Sequence, residues 1–321
     1  MPRTEAYARA EERLHAGHVL VLDAGVATEL ERRGVGMGEG VWSARAAVDQ
    51  FETVVATHCA YADAGADIIT ANTYASSRIV LERYGIGDQT RDINTRSLDA
   101  ALTARERTGR SDLLVAGSLS HFVGIPAGQS IQAKDDPVTD AEMSDAFNEM
   151  RELFEAAGVD VILLEMMSLP QRMRHVFAAI EVGTTPTWCG FSVLQDMASG
   201  RLTARHDTDL DFAEIVGLGV QADFPVLGVM HTAADATSPA LAAIRAQADG
   251  PMMAYPDSGT FKAPHWQFID IMTPETLADF SARWISDGAC IIGGCCGLGP
   301  EHTRAQRMLA DAHNAAVVAA T

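Results

Sequence analysis

Eight short apolar runs punctuate the sequence, at 19–22, 67–70, 113–116, 160–164, 187–194, 225–230, Met252–Tyr255 and 290–292. They are too short for buried helices, rich in β-branched residues and followed by glycine, small or polar residues, as strands buried on both faces should be. Segments with apolar residues every three to four positions fill the gaps, at 46–64, 92–107, Asp140–Ala157, 170–180, 208–217, 239–248, 274–287 and, last, 300–318. Thr139 and Thr273 are suited to helix N-caps, the latter with Pro274 in the first helical position. Strand and helix alternating eight times predict a parallel sheet, and eight repeats favour a closed (β/α)8 TIM barrel over an open sheet. The stretch Gly293-Gly294-Cys295-Cys296-Gly297 lacks the G-x-G-x-x-G spacing of a dinucleotide-binding fold. With no linker-like break, residues 1–321 read as one domain, a barrel with an extra N-terminal helix.

The formal net charge of −19 repels phosphate backbones and anionic lipid, so neither nucleic acid nor a membrane surface is expected as a partner. The polar start Met1-Pro2-Arg3-Thr4-Glu5 has no apolar signal region, and no stretch approaches the ~20 apolar residues of a membrane span. A cytoplasmic location follows as an expectation, and oligomerisation is left open. The five cysteines are Cys59, Cys189, Cys290, Cys295 and Cys296. An odd number with two adjacent makes a poor disulfide framework and points to metal binding or chemistry.

A barrel concentrates its chemistry where strands end, at the C-terminal face. Asp23, Asn72, Tyr74, Ser118, Ser120, Glu165, Asp196, His231, Asp257, Cys295 and Cys296 all fall there. Cys295 and Cys296, flanked by glycines, can turn both sulfurs toward one ion at about 2.3 Å, with zinc the default metal. The alternative is a pair of small buried residues in a tight turn. Glu165 lies between apolar runs, and a buried carboxylate needs a partner. Asp23 could instead cap the helix that follows it. Backbone N–H groups of Gly25, Val26 and Ala27 can face a carboxylate as a helix start does. Trp42, Tyr74 and Phe191 are candidates for an aromatic pocket around a cation. Met166 and Met167 read as packing.

The run Ile291-Ile292-Gly293-Gly294-Cys295-Cys296-Gly297, followed by Pro300-Glu301-His302, resembles the C-terminal zinc signature of the homocysteine S-methyltransferase family. The resemblance extends over nearly the whole chain. Leu22-Asp23-Ala24-Gly25 is similar to the family's opening Asp-Gly-Gly motif, Trp42-Ser43-Ala44 to a tryptophan-serine element, and Thr70-Ala71-Asn72-Thr73-Tyr74 to its strand-two motif. Leu164-Glu165 resembles the strand-four glutamate, and Tyr255-Pro256-Asp257-Ser258-Gly259 the family's Tyr-Pro-Asn-Ser-Gly.

The resemblance implies a zinc-dependent enzyme that moves a methyl group from a cationic donor to the thiol of homocysteine, giving methionine. It implies an acceptor site at Asp23, Gly25, Val26 and Glu165, and a donor pocket at Trp42, Asn72, Tyr74, Phe191 and Tyr255. A chain ending soon after the eighth helix is like the short members that use S-methylmethionine or S-adenosylmethionine. A betaine-like donor, a corrinoid-linked module and a non-catalytic zinc- or thiol-binding barrel are the alternatives, which metal analysis and a donor screen would separate. Four positions, in three stretches, depart from the pattern. Ala24 stands for glycine, Asp257 for asparagine, and Gly228-Val229-Met230-His231 replaces Gly-Val-Asn-Cys, whose cysteine is the third zinc ligand. Read as a ligand, His231 completes a Cys2His set with a fourth position open, and one thiolate fewer leaves the metal a stronger Lewis acid. Read otherwise, zinc binding is weakened and His231 serves substrate or fold.

Overall fold

The computed structural model describes residues 3–38, 41–125, 134–135 and 137–320. Met1 and Pro2 of the polar start, and the last residue of the 1–321 domain, lie outside the described residues. Among the described residues, eight parallel strands form one sheet: β1 (Leu20–Val21), β2 (Ile68–Thr70), β3 (Leu114–Ser120), β4 (Val161–Met167), β5 (Thr187–Phe191), β6 (Leu227–Met230), β7 (Met252–Tyr255) and β8 (Ala289–Ile292). Each strand pairs with its successor from β2 to β8, and β8 pairs with β1 through Leu20↔Ile291 and Val21↔Ile292. The bridge Leu22↔Ile68, with Asp23 N donating to Ile68 O at 2.9 Å, closes β1 on β2. The expected barrel is present.

The two-residue period of the strands sorts their side chains. Leu20, Ile68, Leu114, Ala116, Val161, Leu163, Trp188, Met253 and Ile291 pack inside the barrel. Ile69, Val115, Ile162, Leu164, Cys189 and Val229 face the surrounding helices. The expected N-terminal helix, Glu5–His15, is capped by Thr4 and packs Tyr7 against the interior Trp188, whose indole N–H donates to the Tyr7 hydroxyl at 3.3 Å. Buried Asp67 and Asp160, next to β2 and β4, are tied to Arg13, Arg307 and Arg105. In a barrel such pairs at strand starts serve stability.

Thr139 and Thr273 are N-caps as expected, and Thr139 forms a capping box with Glu142, an arrangement worth about 1 kcal/mol. Four boundaries differ from the pattern. The helix expected at 46–64 breaks at Gln50 (φ −143°, ψ 55°) into Ala46–Asp49 and Phe51–Asp63. The fifth run stops at Phe191, and Val193–Gln195 leaves the barrel to pair antiparallel with Leu202–Ala204, which pairs with Asp207–Asp211. The helix expected at 208–217 therefore starts later, as Phe212–Gln221, with Asp211 as its N-cap. The helix expected to start at Pro239 starts at Ala234 and carries the proline inside. A second insertion, the hairpin of Thr260–Lys262 and His265–Gln267, follows β7. Among the described residues no helix is long and apolar enough to cross a membrane.

Candidate metal centre and substrate cavity

The loop after β8 is fixed by backbone bonds to its neighbours. Gly294 N donates to Asp23 O at 3.1 Å, Cys295 N to Pro256 O at 2.7 Å, and Ser258 N to Cys296 O at 2.9 Å. Two glycines are required by contact. A Cβ on Gly25 would meet Cys295 O at 2.7 Å, and one on Gly297 (φ +81°) would meet Ser258 O at 1.9 Å.

So held, Cys295 and Cys296 place their sulfurs 3.9 Å apart. Two sulfurs on a tetrahedral zinc, with bonds of about 2.3 Å, stand about 3.8 Å apart. His231 joins them: its ligand atom and both sulfurs lie within 4.8 Å of one another. This is the spacing and donor chemistry of a Cys2His zinc site. Burial, and next the Arg205 guanidinium, lower His231 to about 4 against the opposing pull of Asp257, leaving a neutral imidazole at pH 7. The hydrogen bond with Cys296, and then burial, push the Cys295 thiol well up, so a cation is needed to hold Cys295 as a thiolate.

His231 has φ +44°, its carbonyl accepts from Arg205 at 3.2 Å, and its Nδ1 lies 3.0 Å from Asp257 Oδ2. Of the five non-glycine residues with positive φ among those described, three (Trp42, Met166 and His231) line one cavity over the barrel mouth. Such backbone strain clusters at functional sites.

Two carboxylates share that cavity. Glu165 is interior by the alternation of β4 and accepts from the Ser118 hydroxyl. Burial lifts it to about 7 against that bond. Asp23 accepts from Thr70 N at 2.7 Å and from the Thr70 hydroxyl at 2.9 Å, and burial, aided by Glu165, raises it to about 8. Each is poised to gain from an incoming cation. Asp23 is not a helix cap, since that position of Val26–Arg32 belongs to Gly25. The Gly25 N–H is engaged with Leu298 O at 3.3 Å, which removes one of the expected backbone donors.

Trp42, Asn72, Tyr74 and Tyr255 line the cavity. Asn72 spends its amide on Ser43, accepting from the hydroxyl and donating to the carbonyl, both at 2.8 Å, and so fixes the Trp42–Ser43 loop. Phe191 is a correction. Like Cys189 on the same strand, it points outward and packs edge-on against Phe212, away from the cavity. Asp196 also lies elsewhere, organising a turn through Ala198 N and Ser199 N. Met166, expected as packing, lines the cavity, and Tyr74 donates to its sulfur at 2.9 Å.

Sequence reasoning missed residues carried by the two insertions. Phe261 and Trp266, from the hairpin after β7, continue an aromatic wall from Trp42, with Trp42–Phe261 centroids 5.5 Å apart and Phe261–Trp266 centroids 6.2 Å apart. Arg205 and His206 come from the sheet after β5. Arg205 is the only lysine or arginine lining the cavity among the described residues. Only the aromatic-rich Phe261–Trp266 stretch carried a signal.

The fold and site together define a (β/α)8 protein with a thiol–imidazole centre beside an acidic, aromatic-walled cavity. The chain belongs to the homocysteine S-methyltransferase family, whose model matches residues 20–309, and it is a methyltransferase. It is 27% identical over 312 residues to homocysteine S-methyltransferase 2 of Zea mays, covering 90% of this chain and 89% of that one. It is 28% identical over 300 residues to homocysteine S-methyltransferase of Escherichia coli, covering 88% and 92%. The crystal structure of the metallated form of the homocysteine methyltransferase MmuM from Escherichia coli shares the fold, with a TM-score of 0.75 at 23% identity over 94% of this chain and 99% of that one.

Proposed function

We propose that the protein transfers a methyl group from a cationic donor, S-methylmethionine or S-adenosylmethionine, to the thiol of homocysteine, using zinc held by His231, Cys295 and Cys296. The observation that carries this reading is the convergence of those three donors within 4.8 Å at a cavity that also holds two buried carboxylates. Bound there, zinc supplies a Lewis acid that lowers the acceptor thiol's pKa toward neutrality. Asp23 and Glu165 receive the acceptor's ammonium group. Arg205 offers a charge to a substrate carboxylate, in place of the backbone donor that Gly25 has already committed. Trp42, Tyr74, Phe261 and Trp266 present ring faces to the donor cation. The acceptor thiol gives up its proton to solvent water, its sulfur bonds to the methyl carbon, and the methyl–sulfonium bond breaks with its electron pair going to the donor sulfur, so the leaving thioether departs neutral. No acid catalyst is required, and the residues' task is alignment.

Zinc-loaded protein given homocysteine with S-methylmethionine, S-adenosylmethionine or betaine in turn, with methionine read by mass, tests the reading. Methionine from a sulfonium donor is the expected result. A zinc-loaded protein that makes none with any of the three would refute it.

A further inference from the structure

His231 and Asp257 lie in the loops after the adjacent strands β6 and β7, with Nδ1 and Oδ2 3.0 Å apart and side chains only 17% and 12% exposed. Their backbones are joined as well, Asp257 N donating to Thr232 O at 3.3 Å. Arg205 fixes the His231 carbonyl. The backbone of His231 is thus pinned while its ring faces the Asp257 carboxylate. By its charge, a carboxylate 3.0 Å from Nδ1 favours the tautomer protonated on that nitrogen, which leaves the lone pair of Nε2 for a metal and makes the imidazole a stronger donor. Charge points the same way. Two thiolates and a neutral imidazole carry two negative charges, and the carboxylate behind the ring restores a third, the charge of a three-thiolate site.

Resting on the reading that His231, Cys295 and Cys296 hold a metal, we propose that Asp257 is the positioning residue of that centre, acting through His231. The histidine and the aspartate then act as one unit.

The test is a double-mutant cycle on the full chain. Zinc affinity is measured by competition with a chromophoric chelator for the native protein, Asp257→Asn, His231→Cys and the double variant, with circular dichroism to verify folding. Asp257→Asn in the native background should weaken zinc binding about 10- to 100-fold. In the His231→Cys background the same substitution should leave affinity unchanged or tighten it, because the carboxylate has no ring to orient and only repels the third thiolate. Cobalt substitution gives a second readout: the thiolate-to-cobalt absorption should intensify in the two variants that carry His231→Cys and not in Asp257→Asn alone. An equal loss in both backgrounds, as a merely structural Asp257 would give, or no loss in the native one, overturns the inference while leaving the metal site intact. A native protein that binds no zinc overturns the reading beneath it.

Discussion

Replacing Glu165 with glutamine should move stability and acceptor binding in opposite directions. Burial lifts this carboxyl from 4.5 to about 7, so the folded chain keeps a proton that the unfolded chain releases from pH 4.5 upward. With fewer protons on the unfolded chain, stability falls as pH rises through the window from 4.5 to 7 and stays low above it. At about 1.4 kcal/mol per pH unit, the ionised group costs the substrate-free protein about 3 kcal/mol at pH 8. Glutamine has nearly the same shape, carries no charge to desolvate, and leaves the Ser118 hydroxyl a carbonyl oxygen to donate to. Without substrate, Glu165→Gln should therefore be more stable than the native protein at pH 8 by up to about 3 kcal/mol, the gain vanishing below about pH 4.5. The acceptor should lose a charge-assisted contact of about 1.5–3 kcal/mol, or roughly 10- to 150-fold in Kd. Urea titrations of both proteins at pH 5, 6, 7 and 8 read the stability difference, repeated in an Asp23→Asn background because the Glu165 charge also raises Asp23, and calorimetry with homocysteine at pH 8 reads the binding. A stability difference that does not vary with pH, or unchanged acceptor affinity, would refute the reasoning.

Cys295→Ala and Cys296→Ala should each strip most of the metal and abolish methyl transfer, read by elemental analysis beside methionine formation; full activity from a metal-free preparation would contradict the mechanism. Trp42→Leu and Phe261→Leu should raise the KM of a cationic donor about 2- to 30-fold, the range of a cation–π contact of about 0.5–2 kcal/mol, with acceptor KM steady. A matching loss for an uncharged donor analogue would mean that the wall provides only shape. Phe191→Ala should cost about 3–5 kcal/mol of stability while the KM for donor stays at the native value, since the ring packs between sheet and helices; a donor-specific KM change would return Phe191 to the pocket.

The barrel was legible because its signal is periodic. A strand buried on both faces is apolar over most of its length, so each run declares itself, and turn chemistry marks where it stops. Cys295 and Cys296 were legible because two adjacent thiols among glycines suit few other purposes. The contents of the cavity were less so. Phe191 and Glu165 both sit at strand ends, and only the phase of each strand sends the glutamate inward and the phenylalanine outward. That phase is fixed by long-range pairing, which the local pattern does not contain. Arg205, His206, Phe261 and Trp266 reach the cavity on antiparallel insertions, whose folding back over the barrel mouth depends on tertiary contacts. Pro239 misled for another reason: proline is favoured at a helix start, yet here the helix begins five residues earlier and tolerates it.

β8 is bonded on both sides, to β7 and to β1, and the two cysteines follow it directly. During synthesis, one edge of β1 and one of β7 therefore wait without a partner until residues 289–292 emerge, an interval in which exposed edges invite mispairing. The strand that seals the cylinder also delivers the thiols, so His231 and Asp257 meet them only at closure. A metal that binds the sealed form and not the open chain draws the equilibrium toward closure by mass action. Chelation should accordingly be felt as faster breathing along the β1–β8 seam, where the Leu22 amide donates to Ile292 O at 2.8 Å, and its hydrogen exchange would serve as a gauge of metal occupancy.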